Sequence, residues 1–357
     1  MFRIPKVEEE LAEIEKPRLD QVDTLNFDES DCLVVCAGFE DRALAFLRNA
    51  IVSGRSRFRV LGLHYLPFMK ENKGPEIQDL CRTANLPYGN LVYDRQNPSG
   101  FGDIFPGALG PVAGRLYIDV SGMSRLLIVQ ILVSLATRPS GFSQTTILYT
   151  EASQYPPEKA AVQEAIDKSD VDPLYSIMLL SSGVFDVTIV PELLSISLDG
   201  QQTRLVAFPS FNTDQLTALR TELQPSRYSI IHGTPPAPEN KWRTEAIAKL
   251  NHIENLKGEE NYITNTLDYR ETLDRLLEIY RNHGAAERIL IAPTGSKMQA
   301  VAVGILRAFV RDVQIVYPTP RAFTSPTSYT IGVKNSYQLP LDSFVLSGAP
   351  FPAANDL

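Results

Sequence analysis

Acids, hydroxyls and arginines follow three apolar runs in the first half of this sequence. After "LVVCA" come Gly38, Phe39, Glu40, Asp41 and Arg42. After "RLYI" come Asp119, Ser121, Gly122, Ser124 and Arg125, and after "TTIL" come Tyr149, Thr150 and Glu151. A carboxylate such as Glu40 or Asp119 could hold a ribose hydroxyl or act as a general base. The small-residue turn "SGMS" before a helix offers backbone N–H groups to a phosphate or carboxylate, with Arg42 and Arg125 as clamps. A structural reading stands beside this one: Ser121 and Ser124 cap the helix, and Arg42 pairs with Glu40 or Asp119 in a solvated bridge. The convergence of three strand ends favours the functional reading, in which Glu40, Arg42, Asp119, Ser121 and Arg125 line one concave pocket.

The second half carries a related turn. "RLYIDVSGMSRLLIVQILVSLA" from Arg115 and "RILIAPTGSKMQAVAVGILRAF" from Arg288 both run from a basic residue through an apolar strand and a small-residue turn into an apolar helix. Leu33 matches Leu205, Asn90 matches Asn261, Arg115 matches Arg288 and Tyr149 matches Tyr317, in the same order and at offsets between 168 and 173 residues. Ordered matches at near-constant spacing mark an internal duplication. The copies differ where chemistry would sit: Glu40 faces Asn212, Arg42 faces Asp214 and Asp119 faces Ala292. The second copy keeps Thr294, Gly295, Ser296 and Lys297, a turn suited to phosphate, and has lost the acids.

The elements that must position these residues alternate. "CLVVCAGF", "FRVLGLHYL", "NLVYD", "RLYIDV" and "TTILYTEA" read as short buried strands, with helical spacing in "DRALAFLRNAIV" and "GPEIQDLCRTA" between them. "NPSGFGDIFPGALGP" reads as a Pro/Gly-rich connection. Half two repeats the pattern with "RLVAFPSF", "YSIIHG", "NYITN", "RILIAP" and "VQIVYPT". The expected fold is α/β: two tandem Rossmann-like halves with mainly parallel sheets and helices on both faces. The expected organisation is an acidic N-terminal extension over 1–30, half one over 31–154, a connector over 155–200 and half two over 201–357. The connector holds one helix entered through Pro156 and Pro157, then β or irregular structure in "GVFDVTIV", with "SYTIGVKNSYQLPL" as its weak counterpart near the C-terminus.

Composition narrows the classes. The 357 residues are 44% hydrophobic and 21% charged, no apolar run reaches the roughly 18 to 20 residues of a membrane helix, and the N-terminal stretch lacks a signal-peptide core; a cytoplasmic protein without membrane partners is expected. The net charge of −8 argues against non-specific nucleic-acid binding. Cys32, Cys36 and Cys81 have no metal-ligand spacing and the four histidines are scattered, so neither a metal nor another cofactor is expected. GxxxxGK[ST], GxGxxG and GxSxG are all missing, against a Walker A loop, a dinucleotide fold and an α/β-hydrolase.

At "APTGSKMQAVAVG" the sequence resembles the CRISPR-associated Rossmann-fold (CARF) sensor domains, whose fourth strand runs into a Thr/Gly-rich turn with a lysine and then an apolar helix. Thr294, Gly295, Ser296 and Lys297 are the matching positions; half one reads "DVSGMSR" and lacks the lysine. Two such units in one chain resemble the SAVED domains, which sense cyclic oligonucleotides in bacterial antiphage systems. The resemblance implies a sensor of a nucleotide or cyclic oligonucleotide, in antiviral defence, acting on a separate protein effector. Its ligand-binding residues would be Gly38, Arg42, Ser121, Gly122, Ser124, Arg125, Thr294, Gly295, Ser296 and Lys297. Two alternatives stay open: a nucleotide-processing hydrolase or glycosyl-transfer enzyme with Glu40 or Asp119 as catalytic acid or base, and a structural subunit of a larger complex.

Overall fold

A computed structural model describes residues 6–53, 57–110, 114–137, 143–168, 181–195, 201–256, 259–323, 329–342 and 344. In chain order, a short helix α1 (Val7–Glu13) and a two-residue strand β1 (Asp20–Gln21) lead into half one. This comprises β2 (Cys32–Cys36), α2 (Ala45–Val52), β3 (Arg59–Leu66), α3 (Gly74–Thr83), β4 (Tyr88–Asp94), α4 (Phe101–Leu109), β5 (Arg115–Asp119), α5 (Arg125–Thr137) and β6 (Gln144–Thr150). These five strands pair in parallel in the order β4-β3-β2-β5-β6. The central strand β2, "CLVVC", is buried at all five positions, as a strand with helices on both faces must be.

After α6 (Lys159–Lys168) and β7 (Ser181–Ile189), half two repeats the plan. It comprises β8 (Gln202–Ala207), α7 (Thr213–Leu223), β9 (Arg227–Thr234), α8 (Trp242–Leu250), β10 (Glu259–Asn265), α9 (Tyr269–His283), β11 (Glu287–Ala292), α10 (Lys297–Phe309) and β12 (Gln314–Phe323). The parallel order is β10-β9-β8-β11-β12, strand for strand that of half one. The registers agree as well. Leu33 pairs with Tyr117 and Leu205 with Leu290; Ile118 pairs with Ile147 and Ile291 with Ile315. The spacings of the sequence repeat are thus the spacings of the sheets. The chain is α/β, built of two mainly parallel Rossmann-like halves related by duplication. Among the described residues no helix is long and apolar enough to cross a membrane.

Two expectations change. The boundary at 201–357 does not follow the sheets: a last strand β13 (Ser336–Pro340) pairs antiparallel with β6 of half one, and β1 pairs antiparallel with β13. In half two the same position, antiparallel to the fifth strand β12, is taken by β7 from the expected connector. The two compact units of the chain follow this exchange, and the described residues from Tyr329 onward group with half one. The fifth strand of each sheet has an outer edge of unpaired N–H and C=O groups, and each trailing strand covers the edge left open in the other copy.

The second change lies in the Pro/Gly-rich connection, which contains α4. Phe101, Phe105 and Leu109 recur every four residues and are buried, so one apolar stripe fixes the helix despite its glycines. Pro106 sits inside it and supplies no N–H to the carbonyl four residues back, Gly102. The Ser134 hydroxyl of α5 donates to that carbonyl at 2.7 Å. Ser134→Ala is expected to cost about 1 kcal/mol by leaving Gly102 without its donor. In a Pro106→Ala background, where the amide returns, the same change should cost clearly less. Urea unfolding of the four proteins checks this, and equal costs in both backgrounds would refute it.

Candidate functional site

In half one the strand-end loops meet directly. A Cβ on Gly38 would lie 2.8 Å from the Gly122 carbonyl oxygen, and one on Gly122 would lie 2.7 Å from that of Cys36. These two glycines allow the loop after β2 to pack on the loop after β5. Asp119 is fully buried, and its Oδ1 accepts from the Ser121 N–H at 2.9 Å, capping a short 3-10 turn over Val120–Gly122. The Ser121 hydroxyl in turn accepts from the Thr150 N–H at 2.8 Å, tying β5 to the end of β6. Ser124 caps α5 by accepting from the Leu127 N–H (3.3 Å), and its own N–H donates to the Tyr65 hydroxyl (2.6 Å). Arg125 is the first residue of α5 and is half-buried.

Glu40 and Arg42 are 6% and 4% exposed and form one ion pair. The Arg42 Nε and one terminal nitrogen donate to Glu40 Oε2 at 2.9 and 2.7 Å. The other terminal nitrogen donates to the Tyr149 hydroxyl and the Thr150 carbonyl, both at 3.0 Å, and to the Tyr155 hydroxyl at 3.4 Å. Burial works to lower the guanidinium pKa, but the Glu40 carboxylate with Tyr149 and Tyr155 raises it well above its ordinary value. The solvated bridge of the sequence reading is therefore a buried pair. Through Thr150 the network runs on to Ser121 and Asp119. Four of the five expected pocket residues thus converge, as a hydrogen-bonded core rather than as groups turned to a ligand.

The chain also lays a strap across this mouth. The Thr330 hydroxyl donates to Glu40 Oε2 at 2.8 Å, and Tyr329 packs edge-on against Phe39 with ring centres 5.6 Å apart. Gln154 and Ile331 exchange both backbone hydrogen bonds at 3.1 Å, and the Ser153 hydroxyl donates to the Val333 carbonyl at 2.7 Å. Glu151 is held by Asn335 and Lys334 through the backbone and by the Tyr337 hydroxyl at 2.9 Å. Thr330, Tyr329 and Tyr155 were missed from the sequence. Nothing in a polar loop some 290 residues downstream identifies it as the partner of Glu40.

Half two places its turn differently. The Thr294 hydroxyl donates to the Phe208 carbonyl at 2.6 Å, stitching the loop after β11 to the loop after β8. Ser296 forms a capping box with Gln299: its hydroxyl accepts from the Gln299 N–H at 3.1 Å, and its own N–H donates to Gln299 Oε1 at 2.8 Å. That hydroxyl also donates to the Thr266 carbonyl at 2.6 Å. Gly295 leaves no room for a side chain beside Gln299 and Phe208. Thr294 and Ser296 therefore shape the turn, and Lys297, half-buried at the first position of α10, is its one full charge. At the positions of Glu40 and Arg42, Asn212 donates to the Ser181 hydroxyl (2.8 Å) and Asp214 accepts from the Gly183 N–H (2.8 Å). In half one the residue after the first strand thus holds the segment before β13, and in half two the corresponding residues hold the first residues of β7 itself. Among the described residues no three His, Cys, Asp or Glu side chains converge as metal ligands.

No protein-family model matches the chain, and no curated protein does. Among solved structures it is similar to the cytoplasmic domain of a prokaryotic cation chloride cotransporter, at 8% identity and a TM-score of 0.24, covering 80% of this chain and 94% of that one. A likeness at that level bears on neither ligand nor partner.

Arg42→Met leaves Glu40 buried without its cation and is expected to destabilise the protein by about 3–5 kcal/mol. Glu40→Gln combined with Arg42→Met should recover much of that loss, since it removes both charges together. Chemical denaturation of the three variants reads the coupling. Unchanged stability in Arg42→Met would mean that the pair is not structural.

Proposed function

We propose that the protein binds a phosphate-bearing small molecule of the nucleotide class at the strand ends of half two, and that half one is chiefly its scaffold. The observation that carries this reading is the division of labour between the two mouths. In half one Glu40, Arg42 and Asp119 are buried and engaged with protein groups, and a strap crosses the opening. In half two the crevice between β8 and β11, where the strand order reverses, faces a stitched and capped turn with a half-buried lysine at the start of a thirteen-residue helix. Ligands of open α/β sheets sit at that reversal, and the N-terminal end of a helix favours anions. Lys297 adds a full positive charge at that helix start, as lysines in phosphate-binding loops do. The enzyme reading would need Glu40 or Asp119 to reach a substrate, and their burial weighs against it.

The resemblance to CARF and SAVED domains supplies the biological side of the proposal. A nucleotide or cyclic oligonucleotide would be sensed, and the signal passed to a separate effector in antiviral defence. Ligand binding would then have to favour one conformation over another by its own differential affinity.

Titration of the wild type and Lys297→Glu with mononucleotides, dinucleotides and cyclic oligonucleotides tests the reading. Binding by the wild type should weaken at least tenfold in the variant, about 1.4 kcal/mol. The fold should hold, because an acid in the first helical turn is mildly favourable by about 0.3–1 kcal/mol. A wild type that binds none of the panel, or a variant that binds equally well, overturns it.

A further inference from the structure

A buried charge stands unanswered at the far end of α10. Arg307 is 6% exposed, yet among the described residues no carboxylate lies within ion-pair distance of it. One terminal nitrogen donates to the Leu194 carbonyl at 2.9 Å. The Nε is sealed from solvent with no acceptor, and the remaining terminal nitrogen is reached by solvent and makes no hydrogen bond within the protein. Arg311 stands four residues on and is exposed. Burial pushes the Arg307 guanidinium down to about 10, the like charge of Arg311 adds to the fall, and Asp312 acts the other way. The Asp312 carboxylate is already engaged, accepting from the Tyr280 hydroxyl at 2.6 Å.

Proteins rarely leave a cation in this state. A buried charge costs several kcal/mol unless it is paired, and a second cation beside it adds to the cost. Two stabilising features are present, the Leu194 carbonyl and the negative end of the α10 dipole, and both are partial charges. The contrast with Arg42 and Arg204 is direct: each of those is equally buried and each has a carboxylate within 2.7 Å. The matching position in half one holds Ser134, so the arginine belongs to half two alone. Arg307 and Arg311 are thus two neighbouring cations on a protein whose net charge is −8.

We infer that Arg307 and Arg311 form a receptor for a phosphate-type oxyanion, separate from the Lys297 turn at the other end of the same helix. The free terminal nitrogen of Arg307 gives a directed hydrogen bond, and the exposed Arg311 guanidinium closes over the second side of the anion. Arg307 is pre-organised by its bond to Leu194, so little side-chain freedom is lost on binding. This site does not rest on the function proposed for the mouth of half two.

Thermal melts of the full chain in sodium pyrophosphate, with sodium chloride at matched ionic strength as control, test the assignment. Pyrophosphate should raise the melting temperature of the wild type and of Lys297→Glu alike. Arg307→Met should melt higher than the wild type without anion, because it removes an uncompensated charge, and should lose the pyrophosphate response. Arg311→Gln, at an exposed position, should keep its fold and require at least a fivefold higher pyrophosphate concentration for the same shift; it decides the question if Arg307→Met fails to fold. Repeating the series with inorganic phosphate and with a nucleoside 5′-monophosphate separates a free anion from a nucleotide's phosphate as the source. A wild type that responds to chloride and pyrophosphate equally overturns the inference. So does an Arg307→Met protein that melts lower and keeps its response, which would make Arg307 only a tether for Leu194.

Discussion

The outer edge of the fifth parallel strand is the constraint around which both halves are completed. A five-stranded parallel sheet in the order 3-2-1-4-5 leaves β6 in one copy and β12 in the other with a row of unpaired backbone groups. Water or another strand must satisfy them. Here β13 and β7 do so, and because they run antiparallel, each approaches its sheet from the end where ligands of such folds would bind. The strap over half one is a by-product of that direction: residues 329–335 must pass the strand ends before β13 can begin pairing at Ser336.

That geometry explains the fate of the polar residues in half one. Once a strap crosses the mouth, Glu40 and Arg42 lose water and must be satisfied by protein. They find each other, Thr330, Tyr149, Tyr155 and the Thr150 carbonyl. A buried ion pair of this kind contributes little net stability and is costly to break from one side. Its value is positional: it clamps the end of β6, the tip of the loop after β2 and the strap to one another.

Much of this was legible in the residues. The alternation of short apolar runs with helical spacing gave all ten parallel strands, and matches such as Leu33 with Leu205 foretold the register of the sheets. Gly38, Asp119 and Ser121 were correctly placed at strand ends because β-strand length fixes where a loop must begin. What escaped was non-local. The helix Phe101–Leu109 was hidden by Pro106 and two glycines, Gly102 and Gly107, whose cost is offset by the packing of Phe101, Phe105 and Leu109 and by Ser134 of the next helix. The destination of β13 was hidden because the pattern of "SYQLP" says that it is a strand and not which sheet it joins. The helix-capping role of Ser124 was legible, since a hydroxyl before a helix has a local partner.

The crossed assignment of β7 and β13 has a consequence for how the halves can exist apart. A polypeptide carrying only half one as the sequence delimits it would hold the parallel strands and α2 to α5 but no sixth strand. It would present the β6 edge, "QTTILYT", bare, and Phe39 and Tyr149 without the Tyr329 and Tyr337 rings that pack on them. Edges of that composition recruit other chains, so such a fragment should self-associate rather than remain a monomer. Two such fragments have no spare strand to lend and could cover each other only edge to edge, whereas the full chain supplies each missing strand from within itself. The arrangement is that of a strand-swapped pair whose members have become covalently joined.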